Sequence, residues 1–360
     1  MLAISMAMSA PLVAIFLGQL FRQEFAWPNY DSASKLLFAI PIGLVIIQNR
    51  INAVKLLEYA IPTTVLVTAL SGLVKLNLVW GAPRITTYFV DPLSFGSICL
   101  TLALFCLVSI DLDKSDSLWA RLYKLSGFVI GLYMSFISGS RTGWMAIPIV
   151  LWLWMRFKKN IPHWIILTVV TFFCVAVYFL MPLVKMRIDT GMTELLNYQW
   201  DSINRNSSVE LRISFARIGW FLFCQNPLAG WGDNGFSSLL NAPELRQFAT
   251  AEAGEFVLKS GFHSEIVTNM VRSGIWGLLS SIAIFVVPLT FFIKGLRSQS
   301  LIVRNYALVA VSYFICVIVS SMSTEVFNLK FTASFHAMMM ISLAGTLIVL
   351  MSSEQSPKSV

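Results

Sequence analysis

The sequence predicts an all-α fold, in which a polytopic bundle of about ten transmembrane helices carries one large loop domain that itself contains helices. Hydrophobic residues make up 57% of the 360 residues and charged residues only 12%, a balance that is typical of membrane proteins. Apolar runs of roughly 17 to 25 residues, the length that a bilayer core demands, recur along the chain. One polar stretch, from about Lys185 to Phe262, separates two groups of these runs.

The apolar runs give the order and the bounds of the predicted helices. We expect helices over about 2–21, 34–48, 55–74, 92–110, 122–138, 142–156, 161–183, 273–294, 303–321 and 331–351. They divide the chain into N-terminal transmembrane helices at 1–183, a loop domain at 184–262, C-terminal transmembrane helices at 263–351 and a tail at 352–360. Because the chain starts almost inside the first run, we expect that an N-terminal portion is missing.

The basic residues predict the orientation of the bundle. With a cytoplasmic N-terminus, twelve Lys and Arg residues fall in the inner loops and tail, and six fall in the short outer loops. This is the bias that the positive-inside rule requires. The protein is then a multi-pass protein of the bacterial inner (cytoplasmic) membrane, with a periplasmic loop domain and a cytoplasmic tail. Since topology explains the net charge of +8, we predict no nucleic-acid partner.

The loop domain contains one helix that local sequence signals predict. Ser207 and Glu210 have the spacing of a capping box, which predicts a helix start at this point. The helix can run to about Gln225, where Asn226 and Pro227 stop it. Its many apolar residues predict that it lies against the membrane surface or the bundle.

A glycine-rich loop, LAGWGDNGF, follows that helix. Glycines allow a backbone to approach a ligand closely and to present its N–H groups. We therefore name Gly230 and Gly232 as candidate substrate-binding residues.

Arg141 interrupts an otherwise apolar helical hairpin at the sequence SGSR. Ionisable residues at membrane depth are costly, so they usually face a cavity and mark function. Arg141 also begins the next helix, whose free N–H groups favour an anion. The alternative is a snorkelling side chain that anchors a helix end.

Two further arginines, Arg212 and Arg217, lie on the capped helix. Five residues correspond to about 140° of helix rotation, so the two side chains point in different directions. Arg212, near the helix start, is the better candidate for an inward-facing cation. Arg217 is a second candidate for binding substrate, and contact with lipid headgroups is the alternative.

His263 is the candidate general base among the three histidines. It stands where an amphipathic segment leads into a membrane helix, and a helix N-terminus disfavours the charged imidazole. Glu265 and Glu255 are close enough in sequence to orient it, and Glu265 is a candidate for substrate binding. His163 lies at the predicted membrane interface, and we interpret His336 as a packed polar residue.

The sequence predicts no metal site and no cofactor. Asp111 and Asp113 form a D-x-D pattern, but in a short cytoplasmic loop we interpret it as a solvated turn. The predicted outer side has no paired carboxylates and no His/Cys cluster at ligand spacing. An anionic leaving group on that side would depend on arginine, whose planar fork suits diphosphate oxygens.

Three segments together resemble motifs of the O-antigen ligase/polymerase (Wzy_C-like) superfamily of membrane glycosyltransferases, and of its O-antigen ligases (WaaL-type) in particular. They are SGSRTGW at 138–144, LRISFARIGWFLFCQNPLAGWG at 211–232 and FHSEIVTNMVRSGIWGLL at 262–279. Each motif is loose on its own, whereas their order around one large loop is more specific. The resemblance covers about residues 90–350.

The resemblance implies a GT-C-like bundle and an inverting, metal-independent transfer of glycan from undecaprenyl diphosphate. In that reading, Arg141 and Arg212 bind the lipid-linked diphosphate and His263 acts at the transfer centre. The partners implied are an undecaprenyl-diphosphate-linked glycan donor, a lipid A-core acceptor and membrane lipids. Superfamily members usually have more helices than are predicted here, which agrees with a shortened N-terminus.

Three activities within the superfamily stay open: O-antigen ligase, O-antigen polymerase and protein O-oligosaccharyltransferase. We favour the ligase because the chain is short and has only one large outer loop, whereas polymerases commonly have two. A transporter of lipid-linked glycan is the alternative from another class. No inverted repeat or matching pair of broken helices supports it.

Overall fold

The computed structural model describes residues 1–74, 85, 87, 90–110, 116–158, 161–197, 207–247 and 249–355, and in these residues it is helical without any strand. The α-helices, in chain order, are α1 Leu2–Arg22, α2 Asp31–Gln48, α3 Ala53–Val74, α4 Pro92–Ser109, α5 Leu118–Ser138, α6 Arg141–Trp144, α7 Ala146–Lys158, α8 His163–Leu180, α9 Pro182–Leu196, α10 Ser208–Gln225, α11 Pro243–Arg246, α12 Ala251–Ser260, α13 Glu265–Gly295, α14 Leu301–Ser321 and α15 Lys330–Gln355. Short 3₁₀ helices lie at Trp27–Tyr30 and Ser237–Asn241.

The predicted fold class is confirmed. Each of the ten predicted membrane segments coincides with helix, and eight helices in the described residues are long and apolar enough to cross a membrane. The eight do not include α5, or the segment predicted at 142–156, which is divided at Met145 into α6 and α7. The protein is a multi-pass helical membrane protein.

Burial distinguishes the centre of the bundle from its periphery. Almost every residue of α4 is buried, whereas α8 buries only Ile166. Side chains such as Phe172 on α8 and Phe38 on α2 are about two-thirds exposed or more. Such large apolar side chains on the outside of a bundle are suited to lipid contact.

Long-range contacts show which chain segments share an end of the bundle. Arg22, at the end of α1, donates to Ala229 O at 2.5 Å, which places the end of α1 beside the polar stretch. Ser32, at the start of α2, donates to Asn328 O at 2.7 Å. We call this end, where the described residues between 182 and 264 lie, the loop end. The end of α7 and the start of α14 are at the opposite end.

The loop end has a hydrophobic cluster of its own beneath α10. Its buried members come from α10, the glycine-rich loop, α11, α12 and the start of α13: Phe215, Ile218, Leu222, Phe236, Leu245, Ala249, Ala253, Val257, Phe262 and Val271. The capping box predicted for α10 is present, with Ser207 N donating to Glu210 Oε2 at 3.1 Å. The helix ends at Gln225, as predicted.

Two helices at this end differ from the prediction. Pro182 starts α9 directly after α8, in a segment whose mixed polar and apolar residues lack the pattern of a membrane helix. The membrane helix predicted from residue 273 begins at Glu265 instead and is interrupted at Ser273 and Gly274. Gly274 has a φ of +61°, so the interruption needs a glycine.

Candidate functional site

The turn before Arg141 is fixed on the start of α4. Gly139 has a φ of +71° and closes α5 with a left-handed residue. The hydroxyl of Ser140 donates to Leu93 O at 3.1 Å and lies 3.3 Å from Ser97 Oγ. The SGSR sequence therefore serves to dock the helical hairpin on the most buried helix of the bundle.

Arg141 projects from this turn toward α9. Its Nη1 donates to Arg187 O at 2.9 Å, and its Nη2 lies 3.8 Å from Glu194 Oε2. The side chain is 19% exposed, so the guanidinium is largely enclosed yet reachable. A methyl group at Gly191 would lie 2.9 Å from Nη1, so the guanidinium occupies the space that this glycine leaves.

Glu194 connects Arg141 to the helix that carries Arg212. Its Oε2 also accepts a hydrogen bond from Val209 N, at 3.2 Å, in the first turn of α10. Arg212 lies less than one turn further along that helix, half-buried, with Nη1 3.4 Å from Ser208 Oγ. One carboxylate thus joins two elements whose arginines are 71 positions apart in the sequence.

His263 packs against α10, in a backbone conformation that is rare for a residue with a side chain, with a φ of +49°. Its ring packs against Phe215 of α10 and Phe256 of α12, with centroids 6.0 and 5.4 Å apart. Burial lowers the pKa of His263 below its ordinary 6.5; the charge of Arg212 lowers it further, and Asp91 acts in the opposite direction. A neutral imidazole is therefore present at neutral pH, and Arg212 is close enough to affect its charge.

Arg217 is also on α10, five positions beyond Arg212, and is half-buried. The helical geometry separates the two side chains around the axis, as expected. A role for Arg217 in binding substrate stays a prediction.

The glycine-rich loop packs against the interruption of α13. Gly230 and Gly232 have φ values of +63° and +70°, and a methyl group at Gly230 would lie 2.5 Å from Gly274 N. Their N–H groups donate to Asn226 O and Arg272 O, both at 3.0 Å. Both N–H groups are used inside the protein, contrary to the expectation that they point at a ligand. Any part that these glycines take in substrate binding stays a prediction.

Glu265 is buried and hydrogen-bonded on both oxygens. Oε1 accepts from Asn269 Nδ2 at 2.9 Å and from Asn328 Nδ2 at 3.0 Å, and Oε2 accepts from Phe327 N at 3.0 Å. The carboxylate thus fastens the start of α13 to the segment before α15. Its predicted contact with substrate stays a prediction. Glu255 is exposed and its carboxylate lies 3.6 Å from Lys259 Nζ, so its ion pair is with Lys259 and not with His263.

Glu325 is a site residue that the sequence analysis missed. Its Oε1 accepts from Thr268 Oγ1 at 2.6 Å. Gly261, at a φ of +74°, has no room for a side chain because of this carboxylate. Glu325 therefore holds the turn that presents His263. No local signal could have found it, because it lies 62 positions from His263 in the sequence.

Metal ligands are not apparent in the part of the chain that the structure describes. There, no group of three or more His, Cys, Asp or Glu side chains is placed to hold a metal ion. Asp111 and Asp113 lie outside the described residues. The metal independence of the reaction stays a prediction.

The three motif segments coincide with a known protein family. Residues 126–282 match the family model described as O-Antigen ligase. This segment of the protein is similar to the O-antigen ligase family. The match includes Arg141, Arg212 and His263, whereas Glu325 lies beyond it.

That similarity implies an enzyme of the glycosyltransferase or ligase type, and it suggests a lipid-linked glycan as donor. An uncharacterized protein of Haemophilus influenzae is 24% identical to this chain over 279 residues. The aligned region covers 75% of this chain and 68% of that protein. The similarity therefore extends well beyond the segment that matches the family model.

Proposed function

We propose that this O-antigen ligase-like protein is an O-antigen ligase. It transfers O-antigen polysaccharide from undecaprenyl diphosphate to a sugar hydroxyl of the lipid A-core. The reaction takes place on the periplasmic side of the inner membrane, inverts the anomeric centre and uses no metal. In this proposal residues 184–262 form the periplasmic loop domain, between the transmembrane segments at 1–183 and 263–351, and the tail at 352–360 is cytoplasmic.

The observation that carries the proposal is the link from Arg141 through Glu194 to α10. The same helix bears Arg212 and supports the ring of His263 through Phe215. Two cations and a neutral base are therefore held around one helix at the loop end. Guanidinium groups suit diphosphate oxygens, and a base is what an acceptor hydroxyl requires.

The transfer step that we propose is a single displacement. The acceptor oxygen attacks the anomeric carbon from the face opposite the diphosphate, while its proton passes to the neutral imidazole of His263. The bond from the anomeric carbon to the diphosphate oxygen breaks, and undecaprenyl diphosphate leaves with the electron pair. Arg141 and Arg212 stabilise the negative charge that grows on the diphosphate in the transition state.

Arginine and histidine variants test this proposal directly. We expect that Arg141→Ala, Arg212→Ala and His263→Ala each abolish transfer of purified lipid-linked glycan to lipid A-core, while insertion into the membrane is unchanged. Arg297→Ala is the matched control, since Arg297 is an exposed arginine at the opposite end of the bundle. Full activity of the His263 variant would remove its role as base. The same assay tests Arg217, Gly230, Gly232 and Glu265.

The choice of acceptor separates the ligase from its alternatives. Cells that lack a ligase lose every long-chain lipopolysaccharide band and accumulate lipid-linked polymer, whereas loss of a polymerase leaves single-unit bands. Transfer to a protein hydroxyl would identify a protein O-oligosaccharyltransferase. Movement of the lipid-linked glycan across the membrane without any transfer would identify a transporter and contradict the proposal.

A further inference from the structure

A polar cavity lies at the opposite end of the bundle from the candidate active site. Its volume is about 610 Å³, and it is bordered by the end of α7, the start of α8, the end of α13 and the start of α14. Its position at four helix ends corresponds to the interface between bilayer core and water. It shares no lining residue with the candidate active site.

The charged groups of this cavity have one sign. Arg156 and Lys158 reach it from α7 and Arg304 from α14, and no carboxylate is among the described residues that line it. Lys158 also lines a neighbouring cavity that contains Glu58 and Asp116, so the two arginines contribute most of the positive charge here. The cavity is therefore complementary in charge to a negatively charged group.

The uncharged lining is apolar and partly aromatic. Trp152 is 38% exposed, and its ring stacks on that of His163 with centroids 5.7 Å apart. Phe157 and Leu301 also line the cavity, and both are exposed. Tryptophan is typical of the membrane interface, where one side of a ring is apolar and the other polar.

The cavity has direct access to lipid. Its α8 side belongs to the helix that buries only one residue, so this helix faces the bilayer over almost its whole surface. Exposed apolar side chains along α8, such as Leu167, continue from the cavity into the apolar zone. A molecule with an anionic head and acyl chains can fill the cavity with its head and extend its chains along α8.

We propose that this cavity binds the phosphodiester headgroup of an anionic phospholipid. Arg156 and Arg304 contact the phosphate oxygens, Lys158 adds charge, and Trp152 packs against the glycerol and upper acyl chains. Basic cavities between transmembrane helices are suited to such headgroups. The site is independent of the proposed transferase activity, since it lies at the other end of the bundle.

Native mass spectrometry of the full chain in detergent, with added phosphatidylglycerol or phosphatidylcholine, tests this inference. We expect selective binding of phosphatidylglycerol, and a loss of about 30-fold in affinity for the double variant Arg156→Gln/Arg304→Gln, from the usual contribution of two basic residues at an anionic surface. The variant Arg297→Gln, which neutralises an exposed arginine outside the cavity, keeps wild-type affinity. The double variant Arg156→Lys/Arg304→Lys keeps most of the binding and shows that the site tolerates substitution.

Three results would overturn the inference. Equal binding of phosphatidylglycerol and phosphatidylcholine would remove the role of charge. An unchanged affinity in the glutamine double variant, with a wild-type elution profile, would place the lipid elsewhere. Competition by millimolar inorganic phosphate would show a small-anion site instead of a lipid site.

Discussion

We expect the variant Gly191→Ala to displace the guanidinium of Arg141 without destabilising the fold. Gly191 is an interior residue of α9, and a methyl group there would lie 2.9 Å from Arg141 Nη1. That distance is below the ordinary contact range, which starts at 3.4 Å. Because the atom in the way is the end of a flexible side chain, the guanidinium moves and the helix does not.

The expected effects on transfer activity and on the unfolding midpoint both follow from these contacts. The guanidinium has to move by about 0.5 Å, the difference between the two distances. A displacement of about 1 Å at a catalytic group can lower a rate by about 100-fold, so we expect a loss of about tenfold in kcat/KM. Alanine is favoured over glycine in a helix interior by about 1 kcal/mol, so the unfolding midpoint stays the same or rises.

The assay measures transfer of lipid-linked glycan and thermal unfolding on the same detergent preparation. Gly254→Ala is the matched control, because it makes the same change in α12, where the nearest atom to the new methyl group is Leu240 Cβ, at an ordinary contact distance of 3.6 Å. It should be as stable as Gly191→Ala and fully active. Two results would contradict this prediction. One is that Gly191→Ala transfers glycan at the wild-type rate while Arg141→Ala is inactive; the other is that Gly254→Ala loses as much activity as Gly191→Ala.

Two predictions concern pH. The charge of Asp91 raises the pKa of His263. The variant Asp91→Asn keeps a helix-capping side chain, and we expect it to move the acid limb of the kcat/KM profile to lower pH. An acid limb that stays in place or moves to higher pH contradicts the assignment of His263 as base. Burial raises the pKa of Glu325 above its ordinary 4.5, so its neutral form stabilises the fold at low pH and this contribution is lost as pH rises through the raised pKa. Glu325→Gln should therefore raise the unfolding midpoint at about pH 8 and not at about pH 4, whereas Glu255→Gln, at an exposed carboxylate, changes neither. A lower midpoint for Glu325→Gln at the higher pH would show that the carboxylate is needed in its charged form.

The membrane bundle could be predicted from the sequence because its signals are local. Apolar runs of sufficient length form helices in a bilayer whatever their neighbours are. The start of α10 could be predicted for a similar reason, since Ser207 and Glu210 satisfy each other's backbone within one turn. The two arginines and the histidine were found as rare polar groups in an apolar chain, together with the family motifs around them.

The break in α13 could not be predicted from the local sequence. Ser273 and Gly274 interrupt the helix because the glycine-rich loop supplies hydrogen bonds at this point, with Ile275 N donating to Pro227 O at 2.7 Å. The sequence pattern could identify Gly230 and Gly232 as glycines that allow close approach. It could not tell that the approaching group is the backbone of α13 and not a ligand.

The sequence by itself determined the fold class, the helix order and the resemblance to a family, because apolar run length, capping residues and motif order are properties of contiguous residues. Only the tertiary structure decided how the polar groups at the loop end are connected. Glu194 joins Arg141, 53 positions away, to Val209 at the start of α10, and Glu325 holds the turn before His263 through Thr268, 57 positions away. The local sequence around a carboxylate does not indicate which distant donor it will contact, because the packing of the whole bundle determines which residues come together.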